Sequence, residues 1–451
     1  MDHFDFIALG GGNAGLTASK KVRAASKRVA LIDPTPIGGL CSLNGCNPKK
    51  VLVRATEVLQ EVRDAHQHGI HTGELAIDWS AVIDRKHRFT DSVTAGTERG
   101  LAAAGVEYIK ASPRFIAPDR LEVDGRTLTF DGVLIATGST PRRLGFPGAE
   151  HVAITDDILD LRRIPRSLAI IGAGVVAFEF SQIFARLGSA VHVLMHGDKT
   201  LANFDQEMVA ELVQHSRSLG MVFHPSVEVQ RIERRGDDHV IALNNGATLE
   251  ADFVLNAAGR PANILDLNLD AAEVEYGPRG VAVNDYLRNP RNPRVFAAGD
   301  ARGQKQLSPV ASHEGAIVAT NYLHGDRKRI ELSAVPSAVY TVPPFAAVGL
   351  SEAAARAQGF DIEVVREDMS DWIVVDIAGS KPAHATLVSD KGSGRILGAT
   401  LYGHGADDNI HLFAMAMRFG ITSAQLGEMV YAYPTFAGTL GYLTPSASAM
   451  E

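Results

Sequence analysis

The stretch FIALGGGNAG, from Phe6 to Gly15, decides how the chain begins to fold. Its apolar run, Phe6 to Leu9, reads as a buried strand and leads into Gly10-x-Gly12-x-x-Gly15. A helical pattern follows, then a second apolar strand, Val29 to Ile32, that ends in Asp33. Each residue type suits a βαβ unit that binds a dinucleotide. Gly10 permits a tight turn, Gly12 lets the backbone approach a pyrophosphate, and Gly15 lets helix and strand pack closely. Asn13 and Ala14 open the helix, whose free N–H groups and positive dipole end face the phosphates. Asp33, at the tip of the second strand, is placed to accept both hydroxyls of a ribose.

A second copy of this signature lies farther along. Leu168 to Ile171 leads into Gly172-x-Gly174-x-x-Ala177, then a helical pattern and the strand Val191 to Met195. One glycine fingerprint is weak, because glycine-rich turns are common. Two, each framed by strand, helix and strand, are strong. Further apolar strands end on glycine: Val133 to Thr137 at Gly138, Phe253 to Ala258 at Gly259, and Val295 to Ala298 at Gly299-Asp300. The first two look like copies of one element, each followed by a proline, Pro141 and Pro261.

Beyond about Ser333 the pattern turns β-rich, with helical spacing from Asp408 to Phe419 and a tail punctuated by Pro and Gly. The expected fold class is α/β, with two Rossmann-like dinucleotide-binding domains and a C-terminal α+β domain. Boundaries are expected near 145, 262 and 330, giving segments 1–145, 146–261, 262–330 and 331–451.

Composition excludes several classes. The 451 residues suffice for two to four domains with a large core, and 45% hydrophobic with 21% charged residues argues against disorder. A net charge of −8 with no long basic run argues against nucleic-acid or membrane-surface partners. No stretch reaches the roughly 20 apolar residues that span a bilayer, and the N-terminus opens directly into a strand pattern. Cytoplasmic residence is the expectation.

The chain has only two cysteines, Cys41 and Cys46. A bridge closing so small a loop adds little stability in the chain-entropy picture, so a disulfide here has a chemical use. Gly38, Gly39 and Gly45 permit the bend that brings two sulfurs together, and Pro48 suits the first turn of a helix. A helix N-terminus lowers a nearby thiol's pKa, which favours Cys46 as a stabilised thiolate. A zinc site would want two further ligands at short spacing, and none is near. His404, His411, Asp407 and Asp408 cluster in sequence but read as solvated or capping residues, so no metal is expected.

Over nearly its whole length the chain resembles the flavoprotein pyridine nucleotide-disulfide oxidoreductases, such as glutathione reductase, dihydrolipoamide dehydrogenase and mercuric reductase. The order GGGNAG, GGLCSLNGCNPKK, ATGSTP, GAGVVA, NAAGRPAN, FAAGD and YPT carries the likeness. The resemblance implies FAD in the first domain, NAD(P)H in a second domain inserted into it, and a C-terminal interface domain that makes a homodimer. It implies that Cys46 is the charge-transfer thiol beside the flavin and that Cys41 attacks the outside substrate. It also implies that Lys49 or Lys50 pairs with Glu179 near the flavin, and that Asp300 contacts the ribityl chain.

NADH-users hold the adenosine ribose with a carboxylate at the tip of the second strand. Here that strand ends at Met195 without an acid, and His196 and Lys199 follow. Ala177 in the third glycine position also resembles NADPH-preferring relatives. NADPH is the expected electron donor.

One departure stands out. Glutathione reductase and dihydrolipoamide dehydrogenase end in His-Pro-Thr-x-x-Glu, whose histidine shuttles protons for the thiols. This chain reads Tyr433-Pro434-Thr435-Phe436-Ala437-Gly438, so both members of the dyad are absent. A histidine near pKa ~6.5 accepts and returns a proton at neutral pH, whereas a tyrosine near ~10 only donates. Protonating a leaving thiolate of pKa ~8.5 from it is uphill by roughly 2 kcal/mol. The expected substrate is therefore a small disulfide whose leaving thiol is acidic. Alternatives are direct reduction of a quinone, oxygen or a metal ion, and a non-catalytic flavin redox sensor.

Overall fold

The computed structural model describes residues 2–443, which group into two compact units. Within the described residues, the first comprises 2–49, 83–143 and 259–331, and the second 50–82, 144–258 and 332–443.

The first unit is built on a seven-stranded sheet. Strands β1 (Asp2–Leu9), β2 (Val29–Ile32), β3 (Glu107–Ile109), β4 (Pro113–Ala117), β5 (Arg120–Val123) and β6 (Arg126–Ile135) run in the order β3-β2-β1-β6-β5-β4. The strand Val295–Ala297 also pairs with β6. The pairs β3-β2, β2-β1, β1-β6 and β6 with Val295–Ala297 are parallel, so both faces need cover, and the central paired runs Phe6–Leu9, Val29–Ile32, Val133–Ile135 and Val295–Ala297 are apolar and buried. Helices α1 (Asn13–Ala24) and Ser308–His324 cover one face. They approach closely because Ala14, Gly15 and Ala18 form the buried side of α1, and Gly315 meets the Ala14 carbonyl where a Cβ would not fit.

Register places the candidate residues. Leu9 stands opposite both Ile32 and Ile135, and Ile135 opposite Ala297. Four strands therefore end level, and the turns that follow carry Gly10, Asp33, Thr137-Gly138 and Gly299-Asp300. This is the carboxyl edge where open α/β sheets bind ligands.

In the second unit, β7 (Ser167–Ile171), β8 (Ala190–Leu194), β9 (Val222–His224) and β10 (Phe253–Asn256) form a parallel sheet in the order β10-β7-β8-β9. A three-stranded antiparallel sheet over residues 229–251 packs beside it. Residues 337–402 supply a five-stranded antiparallel sheet, against which Ala406–Phe419 buries Ile410, Phe413 and Ala416. Among the described residues no helix is long and apolar enough to cross a membrane.

Candidate active site

The first glycine turn is a cradle shaped by what its residues lack. Gly10 has φ +112°, and a Cβ there would strike the Ala136 carbonyl, while one on Gly15 would strike the carbonyl of Gly10. Gly12 is the N-cap of α1 and no side chain caps the helix, which leaves its first-turn N–H groups for an outside anion. Asp33 accepts from the Gly11 amide at 2.6 Å and from the Thr35 amide and hydroxyl at 2.8 and 2.7 Å. These bonds fix the carboxylate at the strand tip.

Gly138 is left-handed at φ +71° with open space where a Cβ would stand, and the neighbouring Thr137 hydroxyl is buried without a hydrogen-bond partner among the described residues. Asp300 accepts from the Ser139 hydroxyl at 2.7 Å. Arg260 in turn donates to the Ser139 hydroxyl at 3.2 Å and to its carbonyl at 2.8 Å. Ser139 and Arg260 belong to the two look-alike elements, whose tails bridge antiparallel at Ser139 and Ala262. Sequence reasoning named neither residue. Gly299 (φ +67°) donates its amide to Glu314 at 2.6 Å, and Glu314 is ion-paired to Arg302. Burial pushes the Glu314 carboxyl up. The open glycines, the uncapped helix and the Thr137 hydroxyl suit the pyrophosphate and sugar chain of a dinucleotide such as FAD.

The cysteines follow from local geometry. Gly38 (φ +139°) and Gly39 (φ +76°) turn the chain into the short helix α2 (Gly39–Leu43), and α3 (Cys46–Asp64) starts at the second cysteine. A Cβ on Gly39 would lie 2.5 Å from the Cα of Gly12, so the cysteine loop rests directly on the glycine cradle. Cys41 is partly buried and Cys46 exposed. The helix start favours a thiolate on Cys46, but the side-chain hydrogen bonds favour one on Cys41. Its thiol is lowered to about 6, chiefly by a hydrogen bond with Cys46, then by one with Ser308 and by the charge of Lys49, against burial.

The lysine doublet is divided. Lys49 is buried, whereas Lys50 is exposed enough to pair with Glu57 at 3.4 Å and Asp407 at 3.6 Å, its ammonium over the Tyr340 ring. Lys49 is the inward one. Glu179, also buried, accepts from the Tyr340 amide at 3.1 Å.

The second cradle repeats the first. Gly172 (φ +120°) leaves no room for a Cβ against the Ala257 carbonyl, and Gly174 is the uncapped N-cap of α4 (Val175–Arg186). Ala177 is fully buried. Gly259, also left-handed (φ +109°), accepts a backbone bond from Arg142 at 3.0 Å. Past β8, Lys199 is exposed and His196 lies 3.0 Å from a carboxylate oxygen of Glu228. That acid arrives from 32 residues downstream, which is why inspection of the strand tip alone missed it.

Tyr433 is 73% exposed. Thr435 caps the short helix Phe436–Thr439 by accepting from the Gly438 amide at 3.0 Å. Of the histidines and aspartates after residue 403, His404 packs on Phe436 and Asp407 pairs with Lys50. Among the described residues no group of three or more side chains is placed to hold a metal ion.

Residues 4–315 match the family model for pyridine nucleotide-disulphide oxidoreductases, and residues 335–443 match the dimerisation domain of the same family. Dihydrolipoyl dehydrogenase of Chlamydia muridarum is 31% identical, covering 96% of this chain and 94% of that protein. Glutathione reductase of Burkholderia cepacia is 31% identical, covering 96% and 97%. Mercuric reductase of Bacillus cereus is 29% identical, covering 96% and 70%. The fold also matches the solved structure of the HOCl-induced flavoprotein disulfide reductase RclA from Escherichia coli in its Cu(II) complex. That match has TM-score 0.89 at 24% identity over the whole of both chains.

Proposed function

Because the chain belongs to the pyridine nucleotide-disulphide oxidoreductase family, and is thus a flavoprotein acting on sulfur groups, we propose that it reduces a small disulfide whose leaving thiol is acidic, with NADPH as donor. The observation that carries this reading is the pairing of an attacking thiol already lowered to about 6 with the absence of a histidine at Tyr433.

Bound FAD supplies the two-electron relay from the reduced nicotinamide to the cysteine pair. Asp33, Gly10, Gly12, Gly15 and the start of α1 would hold its adenosine and pyrophosphate, and Asp300, steadied by Ser139 and Arg260, its ribityl chain. Gly172, Gly174 and Ala177 would hold the pyrophosphate of NADPH. His196 and Lys199 would face the 2′-phosphate.

The Cys41 thiolate attacks one sulfur of the substrate, forming a mixed disulfide while the other sulfur departs with the bond electrons. Cys46 then gives up its proton to the departed thiolate or to water and attacks Cys41, closing the Cys41–Cys46 disulfide and releasing the second thiolate. Two electrons have left the dithiol, and the two leaving thiolates take protons from water unless their acidity makes that unnecessary. At pH 7 a thiol near 6 is already mostly thiolate, so attack needs no base. Departure still needs a good leaving group.

The four segments 1–145, 146–261, 262–330 and 331–451 serve as FAD, NAD(P)H, central FAD and interface parts. The matched dimerisation domain and the exposed Met415, Phe419, Met429 and Val430 support a homodimer.

A screen of disulfides, quinones and metal ions, read by NADPH consumption in the native protein and in Cys41→Ser, tests the reading. Disulfide turnover lost in Cys41→Ser supports it. Quinone or metal turnover that survives the substitution, with no disulfide turnover in the native protein, overturns it.

A further inference from the structure

A buried charged pair in the first unit takes no part in the catalytic scheme. Glu314 and Arg302 are 1% and 7% exposed and are ion-paired to each other. Taking two charges out of water is costly, and apolar residues of the same volume often serve stability as well or better. The pair is not even fully satisfied, since the Arg302 Nε is buried without a hydrogen-bond partner among the described residues. Stability is therefore a poor reason for its presence. Its geometry offers a better one.

Asp300 is the second residue of a short 3₁₀ turn, Gly299–Arg302. Glu314 grips both ends of that turn. One of its carboxylate oxygens accepts from the Gly299 amide at 2.6 Å, and the other accepts from the Arg302 guanidinium. The turn also closes on itself, with the Gly303 amide donating to the Asp300 carbonyl at 2.9 Å. Glu314 is fixed in its turn. It stands in the helix Ser308–His324, and the next residue, Gly315, meets the Ala14 carbonyl at the start of α1, where a Cβ would come within 2.4 Å. One carboxylate thus carries the position of α1, which bears the pyrophosphate cradle, to the turn that bears Asp300. With its backbone held by Glu314 and one carboxylate oxygen by the Ser139 hydroxyl at 2.7 Å, Asp300 has little freedom left.

We propose that Glu314 and Arg302 are positioning residues for FAD: together they close the Gly299–Arg302 turn so that Asp300 meets the ribityl chain. This rests on the reading of Asp300 as the ribityl contact. A carboxylate fixed before its ligand arrives loses little freedom on binding, and the benefit of such preorganisation shows mainly as slow release. The buried pair is then kept for where it holds one turn, and its removal is read in the flavin rather than in the fold.

The test uses the FAD-loaded protein. Release of FAD on dilution is followed by the rise of flavin fluorescence, and the unfolding midpoint of each variant is measured by far-UV circular dichroism. Glu314→Gln leaves an acceptor for the Gly299 amide but turns a donor toward Arg302. Release should quicken about 10- to 100-fold, the equivalent of one hydrogen bond to a charged group. Glu314→Gln combined with Arg302→Met removes both charges at similar volume, which restores stability if the pair only balances charge. Release from this double variant should stay about tenfold faster than native, with the unfolding midpoint near the native one. Arg302→Lys keeps a cation and should hold FAD longer than Arg302→Met. Native release from the double variant, equal release from the two Arg302 variants, or release that quickens only in step with a falling unfolding midpoint overturns the proposal. If Glu314→Gln does not fold, the double variant and the Arg302 variants decide alone. Asp300→Ala separates the proposal from the reading beneath it. Native release from Asp300→Ala removes Asp300 from the flavin and the proposal with it, whereas fast release there beside native release from the double variant overturns the proposal alone. No disulfide enters the measurement, so a failed substrate screen leaves Glu314 and Arg302 in their role.

Discussion

The Nδ1 of His196 and a carboxylate oxygen of Glu228 lie 3.0 Å apart beyond the end of β8. The proposed partner of a 2′-phosphate is therefore already engaged by a negative charge. Both side chains are more than half exposed, so the pair contributes little to stability, about 0–1 kcal/mol. Its effect is on ligand choice. Glu228→Gln should raise kcat/KM for NADPH by a factor of about 2–5 and leave NADH nearly unchanged, since one repulsive exposed charge is worth that much. His196→Glu should shift preference toward NADH. Steady-state kinetics with both nucleotides checks this, and an equal gain with NADH in Glu228→Gln would rule the site out.

The divided lysine doublet predicts two different outcomes. Lys49→Met removes a buried positive charge whose field reaches Cys41. It should slow reduction of the protein by NADPH on the order of 100-fold, as loss of one preorganised charge does elsewhere. Lys50→Met removes only partly exposed contacts with Glu57 and Asp407 and should change that rate less than about threefold. Stopped-flow absorbance of the flavin separates the two. Equal effects would return the assignment to open status.

Two-electron reduction of the purified yellow protein should give a long-wavelength charge-transfer band between a cysteine thiolate and the flavin. If Cys46 is the partner of the flavin, Cys46→Ser abolishes the band and Cys41→Ser preserves it. The opposite pattern would exchange the two roles, in line with the lowered thiol of Cys41.

Leaving-group dependence is the sharpest expectation at Tyr433. Aryl or thione-forming disulfides should be reduced about 30-fold or more faster than glutathione disulfide or lipoamide, the equivalent of the roughly 2 kcal/mol proton penalty. With an acidic leaving group, the rate should rise as Cys41 ionises near pH 6 and then level off, because only the thiolate attacks. Tyr433→His alone should rescue alkyl disulfides only in part. Adding Gly438→Glu, the family's orienting acid, meets an obstacle: a Cβ there would come 2.9 Å from the Ala432 carbonyl and 3.1 Å from the Thr435 hydroxyl. The double variant should therefore lose stability before it gains activity. Rapid turnover of glutathione disulfide by the native protein, unaltered in Tyr433→Phe, would remove Tyr433 from the account.

Val430 is 99% exposed and Phe419 75%, both within the segment matched to the dimerisation domain. Grouped exposed apolar side chains mark interaction sites, and Met415 and Met429 are exposed in the same segment. Phe419→Glu with Val430→Glu should halve the mass measured by light scattering behind a sizing column. An unchanged mass would place the interface elsewhere.

The sequence was legible where chemistry is local. A glycine that must be left-handed, as Gly10 and Gly172 are, or that must admit a neighbouring carbonyl, announces itself within a few residues of its strand. The redox pair and the two cradles were readable for that reason, and so were the strand ends that carry Asp33 and Asp300, whereas the level ending of those strands appears only in their register. What escaped were partners brought together from far apart. Ser139 and Asp300 are separated by 161 residues, Arg260 and Ser139 by 121, and Asn13 and Ser308 by 295. Serine, asparagine and arginine have no periodicity that marks such a meeting. The choice between Lys49 and Lys50 stayed open for a related reason. Successive residues of a helix differ by about 100° in direction, and only the packing reveals which side faces inward.

The backbone contact between Gly39 and Gly12 makes one mechanical part of two loops that sequence motifs treat as separate. Anyone transplanting the cysteine loop into another scaffold, to build a new thiol catalyst, would have to move the nucleotide turn with it. A methyl group on Gly39 would wedge the two apart and retune both at once.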